Sequence, residues 1–304
     1  MTVSSPTGPD PRRILVLGAT GQVGWELLRT LAPLGEVLGA SRDGRFGIRA
    51  DLAKVVELGP LLDRTRPDLV VNAAAYTQVD QAESEPDLAT RINAEAVAEL
   101  GRLAGARGLP VIHYSTDFVF PGRATHPYRE DDAPNPLNVY GKSKLAGETA
   151  LLESDAPAVV LRTSWVYGAR GHNFLRTMLR LSRERHELRV VDDQIGAPTW
   201  SRMIAAATAH IAARLLHSPP DESTGLYHLS AAGHTSWYGF ARAILDARGG
   251  ECELHPIPSD DYPTPALRPA WSVLDNSRLA RTFGLRLPDW RHSLGQCLQD
   301  MQGE

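Results

Sequence analysis

The organised part of the chain opens on a short apolar run, Ile14-Leu15-Val16-Leu17, that ends at Gly18-Ala19-Thr20-Gly21-Gln22-Val23-Gly24. A helical pattern follows through Trp25, Leu27, Leu28 and Leu31. Strand, glycine turn and helix in that order are the context of a dinucleotide-binding βαβ unit. Glycines let backbone approach a pyrophosphate, whose charge sits at the helix N-terminus. Gly18, Thr20, Gly21, Gln22 and Val23 are therefore the expected phosphate-binding residues. The spacing is G-x-x-G-x-x-G rather than G-x-G-x-x-G, and a purely structural turn is the competing reading.

The chain then alternates strands and helices. Val37-Leu38-Gly39 reads as a second strand, ending in Ala40-Ser41-Arg42 with Asp43 just beyond. A hydroxyl and a guanidinium suit a 2′-phosphate, so Ser41 and Arg42 favour NADPH over NADH. The alternative, a solvated Arg42 with Asp43 on the ribose hydroxyl, stays open at this point. Asp51 and Leu52 are expected to border the adenine. Asp68-Leu69-Val70-Val71-Asn72 reads as a third strand buried on both faces. Ala73, Ala74 and Ala75 at its end leave room for a flat ligand, although close helix packing explains them equally. A long helix is expected from about Asp87 to Ala106, with Asn93 inside it; contact with the loop carrying the catalytic groups is one reading of that Asn, and a plain surface position is the commoner outcome. Leu109 to Tyr114 forms a fourth strand that ends in Ser115-Thr116-Asp117, where open α/β sheets bind ligands. His113, in mid-strand, reads as a satisfied core residue. Ala158 to Arg162 continues the alternation, which specifies an α/β fold with a doubly wound parallel sheet, Rossmann-like.

Between these strands lies Val139-Tyr140-Gly141-Lys142-Ser143-Lys144. The chain holds three lysines against twenty-nine arginines, and two of the three fall in this stretch. Tyr140 and Lys144 are four residues apart and share one helix face. A phenol titrates near about 10, and a neighbouring ammonium lowers that value. Reaching about 7 needs roughly 4 kcal/mol of differential stabilisation. A Lys, a ribose hydroxyl and a cationic nicotinamide together would supply it. Tyr140, Lys144 and Thr116 are the expected catalytic set.

Composition bounds the rest. A formal charge of −4 gives no basic footprint for nucleic acid. Cys252 and Cys297 lack metal-ligand spacing and fit a reducing compartment. No apolar run reaches membrane-spanning length, and residues 1–11 read as a disordered lead-in without the apolar centre of a signal peptide. A cytoplasmic location is expected, with neither membrane nor nucleic-acid partner. After Thr163-Ser164-Trp165 the chain turns to shorter helices and Pro-stiffened loops. The expected organisation is a dinucleotide-binding domain over 12–165, joined again by a helix at 201–216, and a smaller α/β substrate domain over most of 166–304.

Thr116, Tyr140, Lys144 and the glycine turn resemble the extended short-chain dehydrogenases/reductases. Gly-Gln-Val-Gly at 21–24, Asn-Ala-Ala-Ala at 72–75 and Ser-Thr-Asp-Phe-Val-Phe-Pro-Gly at 115–122 resemble one branch, the dTDP-4-dehydrorhamnose reductase family. So do Leu-Arg-Thr-Ser-Trp-Val-Tyr-Gly at 161–168, Asp-Gln-Ile-Gly-Ala-Pro-Thr at 193–199 and Tyr-Pro-Thr-Pro-Ala at 262–266. The resemblance implies hydride transfer from NADPH to the 4-keto group of a dTDP-keto sugar, with Tyr140 as proton donor and Lys144 on the nicotinamide ribose. It also implies that Thr116 bonds the sugar oxygen and that Asp117 and Trp165 border the sugar. Asn173, Gln194 and Arg268 are implied near the nucleotide diphosphate. Some members are homodimers bridged by Mg²⁺ through glutamates. Glu26 matches the first such position, but Arg202 and Asp300 fall at the others, and an arginine cannot ligate a cation.

Three enzymatic rivals share the superfamily, and a fourth is of another class. Dehydratases place an Asp-Glu pair after the Thr, whereas Phe118 follows Asp117 here. Epimerases retain NAD⁺, against which Ser41-Arg42 argues. Reductases of other dTDP-4-keto sugars stay open, as does a non-catalytic role like that of the methionine adenosyltransferase β subunit.

Overall fold

The computed structural model describes residues 11–217, 223–249 and 252–301; the lead-in expected at 1–11 lies outside them except for Pro11. The first half forms β1 (Arg13–Leu17), α1 (Gln22–Thr30), β2 (Glu36–Ser41), β3 (Ile48–Arg49), α2 (Leu58–Thr65) and β4 (Leu69–Asn72). It continues with α3 (Val79–Ala82), α4 (Pro86–Thr90), α5 (Ala96–Gly105), β5 (Val111–Thr116), α6 (Val139–Leu152) and β6 (Ala158–Thr163). Seven strands make the main sheet, in the order Gly225–His228, β6, β5, β4, β1, β2, β3. Every pairing in it is parallel, as the alternating pattern requires. Strand order reverses between β1 and β4, so the crevice at their C-terminal ends is the switch point where such sheets bind ligands.

The continuous apolar strands are explained by cover on both faces. Ile14 and Val16 join Leu27, Leu31, Ile204 and Ile211 on one side, while Leu15 and Leu17 join Leu58, Leu61, Val97 and Leu100 on the other. The helix α8 (Ser201–His217) thus returns from the second half to pack on α1, where Thr30 Oγ1 also donates to the Ala205 carbonyl at 3.2 Å.

The second half adds α7 (Phe174–Glu184), the parallel pair Glu187–Val191 and Glu253–Ile257, and helices at Trp237–Asp246 and Trp290–Asp300. Their core is separate and rich in aromatics: Leu175, Phe240, Ile244, Trp290 and Leu294.

One expected element differs. The helix foreseen over 87–106 is interrupted by a π turn at Arg91–Glu95, which separates α4 from α5. Such single wide turns occur mostly at functional sites. The turn carries Asn93 inward to 1% exposure, where its amide bonds both backbone groups of Tyr76 and donates to Ser143 Oγ at 3.0 Å. Of the two readings of Asn93, the surface position is set aside by this inward contact.

Helix α6 lies hard against this turn. A Cβ on Gly147 would meet the Asn93 carbonyl oxygen at 1.9 Å. Gly147→Ala should therefore lower stability by about 1–3 kcal/mol through overpacking. Gly295, on an exposed helix face with nothing within 4 Å, is the control. Gly295→Ala should raise stability by about 1 kcal/mol. Urea midpoints of the two variants test the contrast.

Candidate active site

The glycine turn divides its work among three residues. Gly18 has φ +76°, and a Cβ there would meet the Ala74 amide nitrogen at 2.6 Å. Gly24 lets α1 approach the turn, since its Cβ would fall 2.1 Å from the Gly18 oxygen. Gly21 is the N-cap of α1, offers no capping side chain, and leaves the first turn without an acidic residue. Thr20 and Gly21 are exposed, with Gln22 and Val23 half-buried beside them. The free amides of a helix N-terminus with no acid nearby suit a diphosphate, so the residues present fit a dinucleotide.

Around that turn, Ala73, Ala74 and Ala75 leave β4 half-buried. At the end of β2 Ser41 is 3% exposed, and its Oγ donates to Asp43 Oδ1 at 2.7 Å. Asp43 also accepts from Arg45 Nε at 2.7 Å, and these side-chain bonds hold its carboxyl down at about 2. Arg42 stands exposed next to it. Leu52 is buried, and Asp51 caps its own turn by accepting from the Ala53 amide at 3.1 Å.

The second cluster forms at the ends of β5 and β6. Asn138 caps α6 by accepting from the Gly141 amide at 2.7 Å. Gly141 sits so close to the Phe118 carbonyl oxygen that a Cβ would meet it at 2.3 Å. This contact brings Tyr140 to the corner that follows Thr116. Tyr140 lies close enough to Thr116 there for that residue to lower its pKa, and its ring meets Phe118 edge-on at 5.8 Å. Thr116 Oγ1 donates to Asp117 Oδ1 at 3.1 Å, and Ser164 Oγ donates to Asp117 Oδ2 at 2.8 Å.

Lys144 is 2% exposed. Its Nζ donates to the Tyr114 carbonyl at 2.6 Å and lies 3.3 Å from His113 Nε2. His113 is buried, as expected, and its Nδ1 faces Asn72 Nδ2 at 3.1 Å. Desolvation lowers Lys144 to about 8, with Glu148 opposing. Desolvation likewise pushes the Tyr140 phenol up to about 12; Thr116 lowers it and the Asp117 charge raises it further. In the protein alone burial thus dominates Tyr140, and the downward pull expected from Lys144 does not prevail.

The family model described as the RmlD substrate binding domain matches residues 12–303. The dTDP-4-dehydrorhamnose reductase of Burkholderia thailandensis is 48% identical over 299 residues, covering 95% of this chain and 99% of that protein. The chain belongs to the dTDP-4-dehydrorhamnose reductase family. The enzyme of that name from Salmonella typhimurium is 45% identical over 294 residues, covering 95% of this chain and 97% of that protein. The Bacillus anthracis dTDP-4-dehydrorhamnose reductase, solved in complex with NADP, superposes with a TM-score of 0.87 at 32% identity, covering 95% of this chain and 99% of that one.

In this reductase-family chain the remaining expected residues fall into two groups. Gln194 and Arg268 line a cavity of about 540 Å³ in the second half, with Phe174, Trp237 and Tyr262 among its walls. Arg268 Nη2 is held by Asp80 Oδ2 at 2.7 Å, and Gln194 donates to Ser259 Oγ at 2.9 Å. The cavity adjoins the catalytic corner through the chain itself, because the Leu267 carbonyl accepts from Asn138, the α6 cap, at 2.7 Å. Asn173 has a different setting. It caps α7, and its Nδ2 is shared among Gln22 Oε1 at 2.9 Å and the carbonyls of Gly168 and Arg170. It ties the loop after Tyr167 to the first turn of α1.

Glu26 lies apart from both clusters. Arg202 pairs with it at 3.4 Å and pairs also with Asp300, so a guanidinium occupies the space between the two carboxylates. Among the described residues no helix is long and apolar enough to cross a membrane.

Asn72, Ser164, Ser272 and Trp237 were not anticipated. Asn72 and Ser164 lie within the segments 72–75 and 161–168 but were given no role, although a polar side chain at a strand end was the available signal. Ser272 reaches Asp117 from far along the chain.

Asp117 is 2% exposed, and burial raises it to about 6 despite bonds from Ser272, Ser164 and Thr116. A carboxyl raised above its unfolded value favours folding below about pH 4, and that contribution is lost as pH rises through about 6. Its size is on the order of 3 kcal/mol. Asp117→Asn should flatten this fall in stability, read from urea midpoints of the two proteins between pH 4 and pH 7 by difference.

Proposed function

We propose that the protein reduces the 4-keto group of dTDP-6-deoxy-L-lyxo-4-hexulose to give dTDP-L-rhamnose, with NADPH as cofactor and Tyr140 as proton donor. The observation that carries this reading is that helix α6 sets Tyr140 and Lys144 against the C-terminal end of β5, where Thr116 stands, on the same edge of the parallel sheet as the glycine turn after β1. The names of the relatives support the sugar, and the NADP complex of the Bacillus anthracis relative supports the cofactor.

Gly18 to Val23 would hold the pyrophosphate and Ser41 with Arg42 the 2′-phosphate. Asp51 and Leu52 would border the adenine, and Ala73 to Ala75 would line the nicotinamide side. NADPH bound there supplies a hydride. In this reading residues 12–165 with α8 bind the cofactor, and most of 166–304 binds the sugar nucleotide.

Tyr140 rests as a neutral phenol, because burial holds its proton on. A phenol with a raised pKa gives up its proton only to a strong base, and a developing alkoxide is one. Protonation is thus timed to follow the carbonyl's reduction. Lys144 lies one helical turn on and, with a pKa of about 8, carries charge at neutral pH. A buried ammonium on the same helix face stabilises the phenolate left behind. Thr116 orients the phenol and the sugar oxygen, and its own orientation is fixed by Asp117. Gln194 and Arg268 would meet the nucleotide diphosphate, for which a guanidinium is suited. Trp165 would border the sugar, and Asn173 would act by holding the loop over Gln22.

NADPH consumption with the purified dTDP-4-keto sugar, followed by identification of the product, tests the reading. Its absence in a folded protein sinks it, and turnover confined to another keto sugar of a small panel would reassign the substrate. Tyr140→Phe should lower kcat by about 10²–10⁴-fold while NADPH binding stays near that of the wild type. Equal loss of both would make Tyr140 positional.

Arg42→Ala should weaken NADPH by about 10- to 100-fold, the worth of a charge-assisted hydrogen bond, with NADH little changed. Equal weakening in a titration of both cofactors would assign the ribose contact elsewhere, Asp43 being the nearest carboxylate.

A further inference from the structure

Trp165 combines two locally unfavourable choices. Its backbone has φ +44°, in the left-handed region that a bulky side chain rarely enters. Its indole lies flat on that of Trp237, with ring centroids 3.5 Å apart and planes within 2°. Superposed rings of this kind are less favourable than offset or edge-on pairs, because their quadrupoles repel. A residue kept in such a state is over-determined by its surroundings, and such sites cluster where strain serves function.

The surroundings are identifiable. The Trp165 carbonyl accepts from the Thr199 amide at 3.1 Å, which fixes the backbone. The indole rests on Gly196, where a Cβ would come within 2.3 Å of the ring. Trp237 is held in turn by Phe174, with centroids 4.6 Å apart. The two residues also have different neighbours. Trp165 follows Ser164, the donor to Asp117 at the catalytic corner, whereas Trp237 is a wall of the cavity that holds Gln194 and Arg268.

We infer that Trp237 is a positioning residue: it holds the Trp165 indole at the catalytic corner, and a nucleoside diphosphate entering the adjoining cavity acts on the reacting end of the site through this stack. The binding energy of a remote part of the substrate is thereby made available to place the reacting sugar, the use to which remote binding is best put. The kinetic part rests on the reductase reading above; the coupling between the indoles does not.

The experiment reads both. Indoles stacked in parallel planes give an exciton couplet in the far-ultraviolet circular dichroism when their transition moments are rotated relative to one another. The wild type should show it, Trp237→Phe should abolish it, and Trp25→Phe, at an exposed ring elsewhere, should leave it intact. Thymidine diphosphate alone should change its amplitude in the wild type. With the keto sugar, Trp237→Leu should lose about 100-fold, the scale of a small misplacement at the reacting centre, mainly in kcat. Trp237→Phe should lose less, since it keeps a stacking face, and NADPH affinity should stay within about two-fold in both as the check on folding. A couplet that survives Trp237→Phe, one indifferent to thymidine diphosphate, or a loss confined to KM would overturn the inference. If the wild type does not turn over the keto sugar, the substrate assignment falls, and the two spectroscopic arms decide the role of Trp237.

Discussion

Helix α6 lies closer to its neighbours than any side chain larger than glycine permits, and the candidate site depends on that closeness. At its first turn Gly141 meets the carbonyl of Phe118, and two turns on Gly147 meets that of Asn93. The first contact sets Tyr140 beside Thr116. The second seats the helix on the π turn, whose Asn93 then bonds Ser143, between Tyr140 and Lys144. Two backbone contacts with almost no freedom thus define the face on which both functional side chains stand. The same device recurs where Gly18 meets Ala74, so that cradle and catalytic corner are registered through backbone rather than through flexible side chains.

Burial exacts an electrostatic cost at this corner. It disfavours the charged form of every titratable group there: Asp117 is raised, Tyr140 is raised, and Lys144 is lowered. Each shift is then partly offset, by Ser164 and Thr116 for Asp117, by Thr116 for Tyr140 and by the charge of Glu148 for Lys144. A site of this kind responds strongly to charge that arrives, since the low dielectric that opposes an isolated ion also strengthens its attraction to an opposite one. That suits a proton donor that must act only once an alkoxide begins to form.

Much of this was legible in the sequence wherever the signal was local. The run from Ile14 to Gly24 specified strand, turn and helix, because period and glycine placement are properties of adjacent residues. Tyr140 and Lys144 declared a shared face by spacing alone. Asn93 was left between a surface position and a contact with the catalytic loop, since nothing in its own neighbourhood announces a π turn; its carbonyl fits against Gly147, more than fifty positions away in sequence. Ser272 and Trp237 were illegible for the same reason: what they touch is decided by the fold. Arg202 was an intermediate case. Its inability to ligate a cation follows from its chemistry, while its insertion between Glu26 and Asp300 is a fact of packing.

Position 118 shows how one side chain can separate reaction classes on a shared scaffold. Elimination from a sugar needs a second acid within reach of the ring, and a carboxylate after Asp117 would supply it. Phe118 instead turns its ring edge-on to Tyr140, a contact that confines the phenol without offering it a proton partner. Asp117 does not take the missing acid's place, because both of its oxygens are already engaged, by Thr116 and Ser164. In the proposed reading the group left to exchange a proton with the sugar is the Tyr140 phenol, and a single donor beside a hydride-bearing cofactor is the minimum that carbonyl reduction requires. A carboxylate at 118 would add an acid to the site and, by its charge, push the phenol's pKa higher still, so the reducing corner is better served by the hydrocarbon it has.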